Sequence, residues 1–195
     1  MRIIAGRFRS RVLQGPPGLS TRPTSDRLRE TLFNVLAPRM DGAVFLDLYA
    51  GSGAVGIEAI SRGASRVTFV ERDAAAVRIL RGNLERLGIT DGFRIHTGSV
   101  KVFLRPSAGG GPRPVQYDLV FLDPPYDAAE EYAATLEMLG GPGAAHIAPG
   151  ALIVSEHRRK QTLEERYGGL RRTRLLQQGD AALSFYTMEM KADAA

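Results

Sequence analysis

The amino-acid sequence predicts an α/β protein with a Rossmann-like, doubly wound, seven-stranded sheet, mostly parallel with one antiparallel strand, and a basic N-terminal extension. Three observations predict this fold. Short apolar runs alternate with amphipathic stretches, as they do in repeated strand–helix units. A turn over residues 50–53 joins the first apolar run to a helix, and its Gly51 and Gly53 form a glycine motif with Gly56 of that helix. Two final apolar runs flank Gly179 and Asp180, which is a hairpin signal.

Composition predicts one globular domain, over residues 23–195, preceded by a basic arm over residues 1–22. Hydrophobic residues make up 44% of the 195 residues, which is enough for a packed core and excludes a disordered chain. No apolar run approaches the length of a membrane span, and arginines interrupt any signal-peptide core. We therefore expect a cytoplasmic protein, and because nothing demands a dimer we expect a monomer.

The absence of cysteine excludes several classes of chemistry. Disulfides, thiolate zinc sites and cysteine nucleophiles are impossible without a thiol. Methylation of a pyrimidine ring carbon through a covalent cysteine adduct is excluded for the same reason. The three histidines, His96, His146 and His157, have no ligand spacing, so we expect no catalytic metal.

The N-terminal arm concentrates positive charge. The formal net charge of the chain is +5, and residues 1–30 contain seven arginines against Asp26 and Glu30. Arginine binds phosphates and base edges well, so this cluster predicts contact with RNA. The alternative is a basic edge strand whose charge only prevents aggregation. The candidate RNA-binding residues are Arg7, Arg9, Arg11, Arg22 and Arg27.

The first two elements are the arm and a helix. Apolar and basic side chains alternate loosely through the arm, which predicts two short strands or a hairpin around Gly6. The apolar members of this alternation are Ile4, Phe8 and Val12. Thr24 or Ser25 can then cap a helix that continues to about Leu36.

The rest of the chain alternates between runs of strand length and amphipathic stretches of helical length. Strands are predicted over residues 44–49, 66–71, 93–97, 117–122, 151–155, 170–177 and 182–190. Helices are predicted over residues 54–62, over residues 73–87, and from Asp127 to the glycines at 140–143. The last of these helices has Asp127 and Glu130 as a capping box, and its predicted buried face is Ala129, Tyr132, Leu136 and Leu139.

The strand–turn–helix unit at residues 44–58 is typical of a nucleotide-binding domain. Its glycines match the dinucleotide fingerprint and let the backbone approach a ligand closely. Glu71 follows Gly51 at the distance where an acid takes ribose hydroxyls. Asp47 lies at the end of the strand, where it can accept a hydrogen bond from a ligand ammonium. A tight turn with no ligand is the alternative.

The motif Asp123-Pro124-Pro125-Tyr126 ends a later strand and predicts the reacting site. Carboxyl ends of parallel strands meet at one edge, so the motif and the glycine turn should face one crevice. The Asp123 carboxylate and the Pro124 carbonyl can accept from the N–H groups of an exocyclic amine, which frees its lone pair. Tyr126 can stack on a base that has left its own stack. A strand-ending turn with a packed tyrosine is the alternative.

The sequence D-L-Y-A-G-S-G, followed downstream by D-P-P-Y, resembles the class I S-adenosylmethionine-dependent amino-methyltransferases. The run T-R-P-T-S-D-R-L-R-E-T-L-F-N-V-L at residues 21–36 narrows the resemblance, as do R-I-I-A-G near residue 2 and G-D-A-A-L-S-F-Y at residues 179–186. Together they resemble the RsmD-type 16S ribosomal RNA guanine-N2 methyltransferases over nearly the whole chain.

This resemblance implies methyl transfer from S-adenosylmethionine to the N2 amine of a guanine in small-subunit ribosomal RNA. The implied catalytic residues are Asp123, Pro124 and Tyr126. The implied cofactor-binding residues are Asp47, Tyr49, Ala50, Gly51, Ser52, Gly53, Glu71, Arg72 and Ser99. Ser99 stands where many methyltransferases place an acid or amide for the adenine amino group, so the adenine contact is left open.

Three other functions compete with this one. D-P-P-Y also accompanies adenine-N6 and glutamine-amide methylation, so a protein-glutamine N-methyltransferase is one alternative. An NAD-dependent oxidoreductase could use the glycine turn and Glu71, although no acid–base set for hydride transfer accompanies them. A non-catalytic RNA-binding module is disfavoured by the intact Asp47, Glu71 and Asp123. The sequence identifies neither the modified nucleotide nor the form of the RNA substrate.

Overall fold

The computed structural model describes residues 1–15, 26–106, 113–125 and 128–189. Its strands are β1 (Val44–Leu48), β2 (Arg66–Glu71), β3 (Phe93–Thr97), β4 (Tyr117–Leu122), β5 (Ile147–Arg158), β6 (Arg166–Tyr167), β7 (Leu170–Gln178) and β8 (Ala181–Met188). Its α-helices are α1 (Asp26–Leu36), α2 (Ala54–Ser61), α3 (Ala74–Arg86), α4 (Val100–Phe103) and α5 (Ala129–Gly140). Within the described ranges, no helix is both long and apolar enough to span a bilayer.

The strands form one mixed sheet in the order β3-β2-β1-β4-β5-β8-β7-β6. The first five strands are parallel, and the strand order reverses direction between β1 and β4. β8 runs antiparallel to both of its neighbours, β5 and β7. The predicted doubly wound, mostly parallel sheet is confirmed. The prediction of seven strands with one antiparallel strand is wrong, because the two-residue β6, too short to show a pattern, also pairs antiparallel with β7, so β6 and β8 both run against the other six strands.

β5 is longer than the sequence predicts at both ends. The prediction of 151–155 is wrong because Pro149 and Gly150 interrupt the apolar run near its start, where the ladder with β4 also shifts register. At its other end the polar residues Glu156, His157 and Arg158 continue the strand by pairing with β8. This extension carries charged side chains to the carboxyl edge of the sheet.

Helices cover both faces of the sheet. One face packs against α1, α2 and α3 through a core that includes Leu32, Phe33 and Phe121. The other face packs against α4 and α5 through a second core that includes Tyr132 and Leu136. Tyr132, Leu136 and Leu139 of α5 are buried, as predicted. The prediction is wrong at Ala129, which is exposed because it lies in the first turn of the helix, beyond the contact with the sheet.

The N-terminal arm folds back on itself and packs against α1 and α2. Arg2 and Val12 form one antiparallel bridge, and the buried side chains are Ile3, Phe8 and Leu13. Ile4 is only partly buried and Val12 is 76% exposed, so the predicted alternation is wrong at both positions. The reason is a turn between the two legs, with φ +81° at Gly6 and +68° at Ser10, which breaks the period of two. The predicted caps Thr24 and Ser25, and Asp127, lie outside the described residues.

A buried carboxylate anchors this arm. Glu58, in the middle of α2, is fully buried and accepts hydrogen bonds from the backbone amides of Ile4 and Ala5 at 2.8 and 3.0 Å. Its Oε1 also accepts from Arg62 Nε at 2.7 Å, and its Oε2 lies 3.9 Å from Nε of the fully buried Arg29. The carboxylate therefore joins three segments that are far apart in sequence.

Candidate active site

A cavity of about 1040 Å³ opens at the carboxyl edge of the sheet, above the ends of β1, β2, β4 and β5. This is the point at which the strand order reverses, where open α/β sheets bind their ligands. Its apolar lining includes Val70, Ile79, Val100, Phe121 and Met138. Its polar lining includes Asp47, Glu71, Ser99, Asp123 and Arg158. The structure thus brings the glycine turn and the D-P-P motif to one cavity, as the sequence predicts.

The glycine turn is shaped by left-handed backbone. Tyr49, Gly51 and Gly53 have φ values of +63°, +55° and +80°, and the Gly53 amide donates to the Ala50 carbonyl at 2.8 Å. A Cβ built on Gly51 would meet no atom within 4 Å, so its open side belongs to the cavity. The missing side chain therefore leaves room for a ligand beside the backbone.

The other two glycines of the motif serve packing. A Cβ on Gly53 would lie 2.2 Å from Leu80 Cδ1 of α3. A Cβ on Gly56 would lie 2.2 Å from Phe69 Cε1 of β2, so α2 can approach the sheet only without a side chain there. In nucleotide-binding folds, the third glycine of the fingerprint allows the same close contact between helix and strand.

Glu71 ties the end of β2 to the glycine turn. Its Oε2 accepts from the Gly51 amide at 2.8 Å, and its Oε1 accepts from the Asp73 amide at 2.8 Å. The carboxylate also lines the cavity. Each oxygen has a further lone pair, so Glu71 can accept from two ligand hydroxyls while it holds the turn.

Asp47 is a buried acid at the cavity floor. Only 2% of the residue is exposed, and its Oδ2 accepts from the Gly56 amide at 2.8 Å. Burial raises the pKa of Asp47 to about 7, the Gly56 hydrogen bond opposes the rise, and the charge of Glu71 adds to it. A cationic ligand group beside Asp47 would favour its ionised form, since opposite charges attract strongly in a buried site.

Asp123 and Pro124 follow the end of β4. Burial raises the pKa of the Asp123 carboxyl well above its ordinary value, and the nearby carboxylates of Glu156 and Asp47 raise it further. The Pro124 carbonyl accepts from the hydroxyl of buried Tyr132 at 3.1 Å, which fixes its direction. One lone pair of this carbonyl is left for another donor.

Ser99 begins the short helix α4 at the cavity wall. Its hydroxyl accepts from the Val102 amide at 3.3 Å and so caps that helix. The preceding Gly98 amide donates to the backbone carbonyl of Glu71 at 2.9 Å, which fixes the β3–α4 turn beside the β2 end. Ser99 therefore lines the cavity, but part of its hydrogen-bonding capacity serves the helix cap.

Two predicted cofactor residues contact α5. Arg72 Nη1 lies 3.2 Å from Glu131 Oε1, and the Tyr49 hydroxyl lies 2.7 Å from Thr135 Oγ1. Glu131 and Thr135 also line the cavity. These two contacts close one wall of the cavity and hold α5 against the ends of β1 and β2. Ala50 and Ser52 also line the cavity, whereas the third catalytic candidate, Tyr126, lies outside the described residues.

The candidate RNA-binding arginines do not all lie near the cavity. Arg7, Arg9 and Arg11 are exposed, but the Arg7 amide donates at 2.8 Å to the carbonyl of Ser61, at the far end of α2 from the glycine turn. Eight helical residues separate those ends by about 12 Å. Arg27 is exposed in the first turn of α1, and Arg22 lies outside the described residues.

Sequence reasoning missed two charged residues beside Asp123. Leu122 pairs with Ser155 in the parallel ladder, which sets Asp123 level with the buried Glu156. Arg158 ends β5 and lines the cavity. The run S-E-H-R after an apolar strand could have indicated both residues. Ligands bind at the carboxyl ends of strands in such sheets, so charged residues at those ends are candidates for ligand contact.

The histidines take part in packing or in local hydrogen bonds. The rings of His96 and His146 lie 5.2 and 5.3 Å from that of Phe103, and His157 Nε2 lies 2.9 Å from Ser184 Oγ. Within the part of the chain that the structure describes, no group of three or more acidic or histidine side chains could hold a metal ion.

Comparison with known proteins gives consistent relatives over the length of the chain. The family described as "Conserved hypothetical protein 95" matches residues 1–187. A Bacillus subtilis (strain 168) protein, "Putative rRNA methyltransferase YlbH", is 36% identical over 186 residues, which cover 95% of this chain and 98% of that protein. "Ribosomal RNA small subunit methyltransferase D" of Escherichia coli (strain K12) is 43% identical over 126 residues, which cover 65% of this chain and 60% of that protein.

Solved structures share the fold, both at 36% sequence identity and at 19%. "Putative methyltransferase yhhF from Escherichia coli" superposes with a TM-score of 0.80 at 36% identity, covering 98% of this chain and 99% of that chain. TrmN from Thermus thermophilus, at 19% identity and a TM-score of 0.64, shows the fold alone. The chain therefore belongs to the conserved hypothetical protein 95 family, the RsmD family that its sequence motifs resemble.

Proposed function

We propose that this protein transfers a methyl group from S-adenosylmethionine to the exocyclic N2 amine of a guanine in small-subunit ribosomal RNA. The observation that carries the proposal is one cavity bordered by both the glycine turn with Glu71 and the Asp123-Pro124 acceptors. Relatives in Escherichia coli and Haemophilus influenzae are named for methylation of small-subunit ribosomal RNA, which supports this substrate class. The choice of guanine N2 follows from the sequence resemblance.

The cavity fits S-adenosylmethionine. The open side of Gly51 leaves space beside the turn, and Glu71 presents carboxylate oxygens for ribose hydroxyls. Asp47 can pair with the ammonium, and the apolar wall, which includes Val100 and Ile79, can hold the adenine. When bound there, the cofactor supplies an electrophilic methyl group on its sulfonium. We propose that Gly53 shapes the turn beside the cofactor, and that five further cavity residues contact the cofactor: Tyr49, Ala50, Ser52, Arg72 and Ser99.

Asp123 and Pro124 prepare the amine. The lone pair of an exocyclic amine is delocalised into the base, so hydrogen bonds from both N–H groups to fixed acceptors favour the pyramidal nitrogen that can react. The Tyr132 hydroxyl holds the Pro124 carbonyl in place for this task. The raised pKa of Asp123 makes it a stronger base than an exposed carboxylate, so it can take the proton that the nitrogen loses. We propose that Tyr126 stacks on the base.

The arm over residues 1–22 has a supporting role in this proposal. We propose that Arg7, Arg9, Arg11 and the neighbouring Arg22 and Arg27 contact RNA outside the cavity, while residues 23–195 carry out the reaction. The exposure of Arg7, Arg9 and Arg11 supports this division. We further propose a monomer that acts in the cytoplasm, where this RNA is found; light scattering on the purified protein tests the first point.

The experiment uses labelled S-adenosylmethionine and small ribosomal subunits that lack the modification, followed by nucleoside analysis of the digested RNA. Label in N2-methylguanosine is the expected result. Label in another nucleoside would contradict the guanine assignment. Label in a protein glutamine, with none in RNA, would support the glutamine alternative, and binding of NAD in place of S-adenosylmethionine would support an oxidoreductase.

The substitution D123N tests the assigned chemistry. It replaces the carboxylate with a side chain that cannot take a proton, so turnover should fall by at least about 100-fold, the range of general-base contributions. Cofactor affinity should change little. Asp91, exposed in the loop before β3, provides the control D91N. Loss of cofactor binding in D123N alone would show that the role of Asp123 has been misassigned.

A further inference from the structure

We propose that the turn at residues 158–160, Arg158-Arg159-Lys160 (the basic turn), holds the RNA phosphate backbone beside the target nucleotide. This inference rests on the proposed function, because it assigns part of the substrate contact to the same cavity. The three side chains are exposed, and Arg158 lines the cavity. Arg7, Arg9 and Arg11 do not line the cavity, and Arg7 lies at the opposite end of α2 from the glycine turn.

The register of the sheet sets the basic turn on the substrate side of the cavity. Asp123 is level with Glu156, and Arg158 lies two residues further along β5 on the same face. Two residues of strand correspond to about 7 Å, so Arg158 stands above the catalytic carboxylate and toward solvent. Glu71 and Asp47, the cofactor-side acids, belong to β2 and β1 on the other side of β4.

The backbone of the basic turn is fixed by the neighbouring hairpin. The Gln161 amide donates to the Arg158 carbonyl at 2.9 Å, and the Arg159 amide donates to the Asp180 carbonyl at 2.8 Å. His157, which precedes the turn, contacts Ser184 of β8 at 2.9 Å. Because this backbone is already ordered, only the side chains lose conformational entropy when RNA binds. The smaller entropy cost favours RNA binding at this turn.

Electrostatics explains why cations are needed at this place. The cavity contains Asp47, Glu71 and Asp123, with Glu156 buried beside them. In their ionised forms these carboxylates repel a phosphodiester whose base enters the cavity. Three adjacent cations at the rim offset that repulsion where the backbone must pass. A mixture of arginine and lysine in exposed positions suits sequence-independent phosphate contact, which positions the nucleic acid, rather than recognition of a base edge.

The test is a salt series of RNA binding, measured by anisotropy on a labelled small-subunit RNA fragment without turnover. The variants are R158A, R158K and a triple alanine variant of the basic turn. The matched control is R66A, which removes an exposed arginine at the opposite, amino-terminal edge of the sheet. R158A should lose on the order of tenfold in affinity, and its log–log salt slope should fall by about one unit, as for one lost phosphate contact.

The other readouts separate this proposal from competing roles. The triple variant should lower the slope by about two units or more, and should raise KM for RNA by a larger factor than it lowers kcat. R158K should keep most of the affinity, because a phosphate accepts a point charge. Equal losses in R158K and R158A would indicate base-edge recognition and overturn the proposal. Weakened cofactor binding in R158A would also overturn the proposal. The same holds if the triple variant has the RNA affinity and salt slope of R66A.

These results are distinguishable from failure of the proposed function. If the wild-type protein methylates guanine N2 while the triple variant keeps its affinity and salt slope, only the role of the basic turn is wrong. If the basic turn governs RNA binding but no guanine is methylated, only the reaction assignment is wrong.

Discussion

Glu71 Oε2 accepts a hydrogen bond from the backbone amide of Gly51 at 2.8 Å, so the acid at the end of β2 holds the glycine turn that follows β1. Glu71, which we propose binds the cofactor ribose, therefore also holds the glycine turn in place. Because its two oxygens bind Gly51 and Asp73, removing the side chain changes ligand contact and turn geometry together.

The first prediction concerns this double role. E71A should weaken binding of S-adenosylmethionine by about 1–3 kcal/mol, since it leaves the Gly51 amide without its acceptor and removes the ribose contact. E71Q should lose less, because its amide oxygen can still accept from Gly51. Calorimetric titration measures both affinities. E85A, on the exposed side of α3, is the control, and an affinity for E71A equal to that of E85A would contradict the assignment.

The second prediction follows from the burial of Asp47. Its pKa rises from 3.8 to about 7 on folding, so between those values the folded protein binds a proton that the unfolded chain has released. The free energy of unfolding should therefore fall as pH rises from 4 to 7, by up to about 4 kcal/mol from this group. D47N should remove this dependence, so its stability relative to wild type should increase over that range. Urea unfolding at several pH values, with D91N as control, measures the difference.

The third prediction separates two glycines of one motif. G56A should destabilise the folded protein by about 1–3 kcal/mol, because its Cβ would overlap the Phe69 ring. G51A meets no neighbour, so its main effect should be on cofactor affinity, with about 1 kcal/mol of backbone strain. G82A, within α3, should be neutral or stabilising by about 0.5–1 kcal/mol. Unfolding in the absence of cofactor measures the stability of each variant, and a cofactor titration measures its affinity. If G51A and G82A lose similar cofactor affinity, the cofactor role assigned to Gly51 is wrong.

The fourth prediction concerns the buried carboxylate of Glu58. E58A should cost about 3–5 kcal/mol in the free energy of unfolding, because it leaves two arm amides without an acceptor and removes one of the two carboxylates, Glu58 and Asp26, that pair with the buried Arg29. E58Q should cost less, since an amide oxygen can still accept from one amide. Guanidinium unfolding measures both, with E85A expected to stay within about 0.5 kcal/mol. A cost for E58A no larger than that of E85A would remove the anchoring role.

The fifth prediction concerns the arm. Replacing Arg7, Arg9 and Arg11 with alanine should weaken RNA affinity and flatten its salt dependence, with kcat at saturation unchanged because these residues lie outside the cavity. The charge-matched control replaces three exposed arginines, Arg78, Arg81 and Arg94. An unchanged salt slope would exclude the arm from the RNA site.

The sequence predicts those elements whose signals are local. β2, β3 and β4 have the predicted bounds because their strand signals are local: β2 and β4 are mostly apolar runs, and β3 alternates Phe93 and Ile95 with polar residues. The glycine turn and Asp123 meet in one cavity because parallel strands bring their carboxyl ends to one edge. Both predictions use information contained in neighbouring residues and one topological rule.

Features that depend on distant partners could not be predicted in this way. Glu156 and Arg158 belong to a strand because β8 pairs with them, and that strand is about 25 residues away in the chain. Glu58 and Arg29 are charged residues in helices, where a solvent-facing position is the usual expectation. They are buried because the N-terminal arm covers them. The spacing of apolar and polar residues within each helix does not indicate that a distant segment packs there.

The position of β8 has a consequence for the order in which the protein can form. β8, the last strand in the part of the chain that the structure describes, lies inside the sheet, and β7 and β6 join the ladder only through it. While the ribosome is still releasing β8, the nascent chain has no partner for the final residues of β5, which carry Glu156 and Arg158. The edge of the cavity that Arg158 lines can therefore be completed only after translation has passed Met188.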